Sequence, residues 1–192
     1  MNRIEGARST FGAALQADLH RNIERLAECG LLSDHPQADL LRGRVKALGK
    51  LTGCLTSIAK YYAAEACCAV TSDAISVMGG SGYMRDYPAE RLFRDAKITS
   101  IYEGTAEMQT NAAMGGIMSG VLEDEIERMH QAALALRHAP LLDEMSKARR
   151  TLAEIVAHLK RCEDRYYTEL CARNAVEVAA DIYIGYRFLR DM

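Results

Sequence analysis

The residue types that could do chemistry concentrate in residues 78–109, MGGSGYMRDYPAERLFRDAKITSIYEGTAEMQ. Within that stretch, Ile101-Tyr102-Glu103-Gly104-Thr105 sets one acid between apolar or aromatic neighbours and a Gly-Thr step. A solvated surface acid needs no such setting. A carboxylate held near an apolar ligand does, because desolvation raises its pKa and makes it a better proton acceptor. Glu103 therefore reads as a working base that projects past a bare glycine backbone into a cleft. The competing reading is an acid favoured at a helix start by the dipole. Upstream, Gly79, Gly80 and Gly82 form a glycine-rich loop at a helix end, whose backbone N–H groups can meet a phosphate or a ribose edge. Arg91, Arg94 and Asp95 read most simply as a structural charge cluster.

Other chemistries are poorly supplied. Six cysteines (Cys29, Cys54, Cys67, Cys68, Cys162, Cys171) show no CxxC or finger-type spacing, so they read as reduced thiols filling small core positions. Glu154 and His158 can share a helix face, but nothing completes a metal site with them, and no metal is expected. The 24 basic and 26 acidic residues leave a net charge of −2, which argues against a nucleic-acid partner. No apolar run approaches the ~18 residues of a membrane span. The N-terminus lacks a signal-peptide apolar region, and the expected location is the cytoplasm.

The elements that must position Glu103 read as helices throughout. Leu48, Leu51, Leu55, Ile58 and Tyr62 step by three and four, the spacing of one buried helix stripe. Leu152, Ile155, Leu159, Cys162 and Tyr166 repeat it, as do Cys171, Ala175, Val178, Ile182, Gly185 and Leu189. The pattern predicts a helix from Ala14 to Leu31, stopped before Pro36, and a long one from Ala38 to Met78, loosened near Gly49 or Gly53. Gly79-Gly80 ends the long helix with a left-handed cap. Pro88 opens a short helix to about Lys97, and Thr105 N-caps the next, with Glu107 near its positive end. Gly115-Gly116 and Ser119-Gly120 mark a weak joint, followed by helices over Leu122–Arg137 and Leu141–Leu189. The expected fold is all-α: an up-down helical bundle over 1–120, then a second helical layer over 121–192.

Residues 59–109 resemble the C-terminal helical domain of the FAD-dependent acyl-CoA dehydrogenases. The likeness rests on Lys60, Gly79-Gly80, Gly82-Tyr83, Arg94-Asp95-Ala96 and Tyr102-Glu103-Gly104-Thr105, in that order. Residues 121–192 resemble the helical extension of the family's longer members, through Ala180-Asp181-Ile182-Tyr183-Ile184-Gly185-Tyr186. Arg8-Ser9-Thr10-Phe11-Gly12 is similar to the family's Arg-x-x-Phe-Gly, whose arginine reaches a flavin phosphate.

The resemblance implies that Glu103 abstracts the α-proton of an acyl-CoA thioester while the β-hydrogen leaves as hydride to the flavin. It implies that the Glu103 N–H polarises the thioester carbonyl. Tyr102 and Gly104 would border the substrate, and Arg8, Gly79, Gly80, Thr105 and Glu107 would contact FAD. The Gly79-Gly80 loop would reach the FAD of a neighbouring subunit, which implies a homodimer or homotetramer. Electron-transfer flavoprotein would accept the electrons. Ser76 stands where the family has glutamine, which removes one expected adenine-end hydrogen bond. No β-domain is legible in the chain. The expectation is therefore a C-terminal domain or one subunit of a split enzyme, inactive when isolated. A reading from another class is a non-catalytic helical assembly module that kept the motif for packing.

Overall fold

The computed structural model describes residues 38–134 and 139–191. Regular structure among them is entirely helical: α1 (Ala38–Met78), α2 (Gly80–Tyr83), α3 (Pro88–Thr99), α4 (Ala106–Ser119), α5 (Val121–Ala133), α6 (Ala139–Cys162) and α7 (Arg165–Asp191). The all-α expectation holds. The predicted Ala14–Leu31 helix lies outside the described residues. No described helix is long and apolar enough to cross a membrane.

Internal contacts group the chain into residues 1–52 and 53–192. Of the first unit, the described part is the N-terminal portion of α1, in which Val45 is buried. The second unit is a helical bundle around α7, which packs against α4, α5 and α6. Its contact face is built from Ala172, Ala175, Val176, Ala179 and Ala180, all buried. Such small side chains let neighbouring helix axes approach closely. Leu122 and Ile126 of α5 and Leu152 and Leu159 of α6 fill the space between.

One glycine brings α1 against α4. A Cβ on Gly116 would stand 2.4 Å from Cys54 Cβ and 2.6 Å from its sulfur. The Cys54 thiol donates to the Ala113 carbonyl at 3.3 Å, and burial pushes its pKa up to about 11. Gly115-Gly116 is thus no joint: α4 runs through both and stops only at Gly120, at φ 86°. Polar contacts bind α1 to α7. The Tyr61 hydroxyl donates to Glu177, Arg173 Nε donates to Tyr61 Oη at 2.9 Å, and Arg173 Nη2 meets Glu65 at 2.6 Å. Burial, reinforced by Glu177, pushes the Tyr61 phenol up to about 12.

Several expectations need correcting. The stripe on α1 is rotated: Cys54, Ile58, Tyr61 and Ala64 are buried, while Leu48 and Tyr62 are exposed. Core positions against Gly116 require a side chain as small as cysteine, which hydropathy alone does not reveal. The helix runs through Gly49 and Gly53 without interruption. Residues 141–189 are two helices, because Glu163 turns left-handed at φ 50° and Asp164 caps α7 by accepting the Tyr167 N–H at 3.1 Å. Cys162 and Tyr166, at that turn, are exposed rather than continuing a buried stripe. Of the five described cysteines only Cys54 is fully buried.

Candidate active site

The proposed base stands on a bend between α3 and α4. Pro88, with φ preset for a helix start, opens α3, which ends at the buried Ser100. The chain then turns. The N–H groups of Ile101 and Tyr102 both donate to the Ile98 carbonyl at 3.0 Å, and Ala106 N–H closes the bend on Ser100 O at 3.2 Å. Thr105 is the N-cap of α4, as expected; its Oγ1 accepts the Met108 N–H at 3.4 Å.

Between these anchors the backbone is left-handed twice in succession, at Glu103 (φ 52°) and Gly104 (φ 95°). Glycine adopts such angles freely, but for glutamate the conformation costs about 1–2 kcal/mol. Two side chains hold it. Gln109 Nε2 donates to the Glu103 carbonyl at 2.9 Å, and Lys60 Nζ, from α1, donates to the Gly104 carbonyl at 2.5 Å. The Lys60 ammonium also lies 5.9 Å from the centroid of the Tyr102 ring. A Cβ on Gly104 would stand 2.8 Å from Gln109 Nε2 and push that amide aside, so the glycine is needed chiefly for its angle.

Tyr102, Glu103, Gly104, Thr105 and Glu107 are therefore gathered in one bend, as the sequence suggested. No hydrogen bond or ion pair among the described residues engages the Glu103 carboxylate. The described residues form no cleft around it: Glu103 is exposed, and so are the flanking Ile101, Tyr102 and Met108. Both walls of such a cleft cannot come from a single helix–turn–helix bend. Two cavities lie elsewhere, a groove of about 610 Å³ lined by Met114, Leu159, Lys160 and Arg165, and a crevice of about 230 Å³ lined by Ile117, Leu122, Leu152 and Val156.

Gly79 and Gly80 belong to a second segment, the α1–α2 junction. Gly79 has φ 59° and ψ −141°, a glycine conformation but not the left-handed cap expected there. Gly80 begins the one-turn helix α2, so the segment is less of a loop than its glycine content suggested. A Cβ on either residue would meet nothing within 4 Å, whereas one on Gly82 would strike Ile75 O at 2.7 Å. Gly82 thus serves packing against the end of α1. Arg94 forks Glu90 at 2.9 and 3.1 Å, so its ion-pair partner is Glu90 rather than the expected Asp95. Arg8 lies outside the described residues. The part played by Lys60 and Gln109 was not legible, since each acts on a backbone carbonyl; an amide side chain one turn into a capped helix was the available signal for Gln109.

Comparison with known proteins bears on this geometry directly. The acyl-CoA dehydrogenase C-terminal domain matches residues 43–118, a span containing Lys60, both glycine segments and the whole Glu103 bend. Over residues 43–118 the chain is similar to the acyl-CoA dehydrogenase family. Cyclohexane-1-carbonyl-CoA dehydrogenase of Geobacter metallireducens is 41% identical over 108 residues, 53% of this chain and 27% of that protein. The mitochondrial short-chain specific acyl-CoA dehydrogenase of Bos taurus is 40% identical over 116 residues, 58% of this chain and 27% of that protein. The mitochondrial short/branched chain specific acyl-CoA dehydrogenase of Rattus norvegicus is 58% identical over 55 residues, 29% of this chain and 13% of that protein. The chain thus spans about a quarter or less of the length of these relatives. No solved structure matches the chain significantly.

Two of the segments where the sequence suggested cofactor contacts show what a phosphate-bearing group would meet. Open space beside Gly79 and Gly80 leaves room for a ligand, with the Gly79 N–H already donating to Ser76 O at 3.2 Å. The N-terminus of α4 carries the positive end of a 14-residue helix, with Thr105 half-buried at its cap. The helix end favours an anionic group through its dipole, while the Glu107 carboxylate in the same turn works against it.

Proposed function

We propose that this chain is the C-terminal helical domain of a FAD-dependent acyl-CoA dehydrogenase, with residues 121–192 as a helical extension and Glu103 as the base. One observation carries the reading: Glu103 is held in a costly left-handed conformation beside a required glycine, with its carboxylate free of any described partner. Strain of this kind persists only where surrounding contacts enforce it, and it clusters at functional sites.

In this reading Glu103 takes the α-proton of an acyl-CoA thioester, and its N–H donates to the thioester carbonyl, stabilising enolate-like charge. Gly104 leaves room for the acyl chain beside it, and Tyr102 flanks the same position. Thr105, Glu107, Gly79, Gly80 and Arg8 border the cofactor. Bound FAD would supply the acceptor for the β-hydride. The opposite wall, and with it the desolvation that strengthens a carboxylate base, comes from a β-domain outside this chain. The assembly is a homodimer or homotetramer, located in the cytoplasm, passing electrons to electron-transfer flavoprotein.

A second reading, a non-catalytic helical assembly module, draws support from the exposure of Glu103 and from cavities lying away from it. The deciding assay is anaerobic mixing of the flavin-bearing protein that contains this chain with acyl-CoAs of graded length. Dehydrogenation predicts bleaching of the flavin absorbance by at least one of them. Flavin that stays oxidised with every acyl-CoA would leave the assembly reading.

A further inference from the structure

We infer that Lys60 and Gln109 are positioning residues for Glu103, locking the two peptide planes that flank Gly104 so that the acid is held left-handed. The inference rests on the reading of Glu103 as the base and concerns what keeps that base aimed. The Glu103–Gly104 peptide is fixed through the Glu103 carbonyl by Gln109 Nε2 at 2.9 Å. The Gly104–Thr105 peptide is fixed through the Gly104 carbonyl by Lys60 Nζ at 2.5 Å. With both planes held, the two dihedrals of Gly104 that relate them are restrained, and with them the orientation of the Glu103 carbonyl. Without them, Glu103 gains by returning to negative φ, which swings its carboxylate and N–H away together.

The two holders are unequal. Gln109 is on the first turns of α4 and moves with the bend. Lys60 reaches it from 44 residues away on a different helix, so it references Glu103 to the bundle rather than to its own segment. Its donor is charged, which makes the bond the stronger of the two. Its placement over the Tyr102 ring pins the residue preceding the acid as well.

The test uses this chain with Lys60→Met, Lys60→Arg and Gln109→Leu, following amide hydrogen exchange through 101–106 and helix content by circular dichroism. Ala106 N–H, bonded to Ser100 O, reports opening of the bend directly. With helix content unchanged, Lys60→Met should speed exchange of that amide by roughly tenfold or more, Gln109→Leu by less, and Lys60→Arg should restore most of the protection. Bend exchange equal to the parent in both Lys60→Met and Gln109→Leu would overturn the inference. Should Lys60→Met fail to fold, Gln109→Leu decides it on the same criterion. In the flavin-bearing protein, Lys60→Met should lower kcat with KM for acyl-CoA little changed, and Lys60→Arg should recover it. A rise in KM alone would overturn the positioning role. Normal turnover by Glu103→Gln would remove the base reading while the exchange data still judge the clamp.

Discussion

Glu103 and Gly104 are consecutive left-handed residues, at φ 52° and 95°, and only the second is a residue that adopts such angles without strain. The pair carries the chain from α3 to α4 within a few residues and leaves the glutamate side chain exposed. The consequences can be measured at the bend and in the bundle that supports it.

Gly104→Ala should destabilise the chain by roughly 1–3 kcal/mol, since alanine at this angle is strained and its Cβ displaces Gln109 Nε2. Gly80→Ala, whose Cβ meets nothing, should stay within about 0.5 kcal/mol of the parent. Urea denaturation of the two variants side by side checks the contrast. Equal costs would mean that the bend is not the constrained element.

Gly116→Ala should cost about 1–3 kcal/mol by overpacking against Cys54. Pairing it with Cys54→Ala removes the sulfur but leaves the Cβ in place at 2.4 Å, so rescue should be partial. A double-mutant cycle by thermal unfolding gives the coupling. Strict additivity would contradict direct contact of α1 and α4 at this point.

Alkaline pH should unfold the protein through Cys54 and Tyr61. Both groups have folded pKa values raised above the ordinary ones, from 9 to about 11 and from 10 to about 12. A raised folded pKa means that the native state holds its proton more tightly than the unfolded chain does. The associated stability is complete below about pH 9 and is lost progressively as pH climbs to about 12. Denaturation midpoints measured from pH 8 upward check this, and Tyr61→Phe should flatten the upper part of the decline. A midpoint that does not fall across this range would contradict the buried placement of both groups.

The chain on its own should fold as a helical protein yet retain little FAD and show no acyl-CoA turnover, because the bend alone encloses no cleft. Absorbance of the purified chain near the flavin bands checks the first point. Stoichiometric flavin carried through purification would refute it.

Much of this architecture was legible in the residues. Pro88, Thr105 and Gly120 mark boundaries through local backbone rules, so the start of α3 and both ends of α4 follow from sequence. The rotation of the α1 stripe was not legible, because the choice of Cys54 over Leu55 for the core depends on Gly116, distant in sequence. The break at Glu163 was hidden for a related reason: glutamate at positive φ leaves no compositional mark, though Asp164 was an available cap signal. At the site, Glu103, Gly104 and Thr105 announce themselves by type and order. Lys60 and Gln109 do not, since their role exists only once the fold brings them to two carbonyl oxygens.

The most direct measurement is turnover by Glu103→Gln in the flavin-bearing protein that contains this chain, with flavin content and helix content measured in parallel. The account predicts a loss of kcat of about 10²–10⁴-fold or more, with cofactor and fold retained. Turnover equal to the parent's in a fully flavinated variant would contradict it.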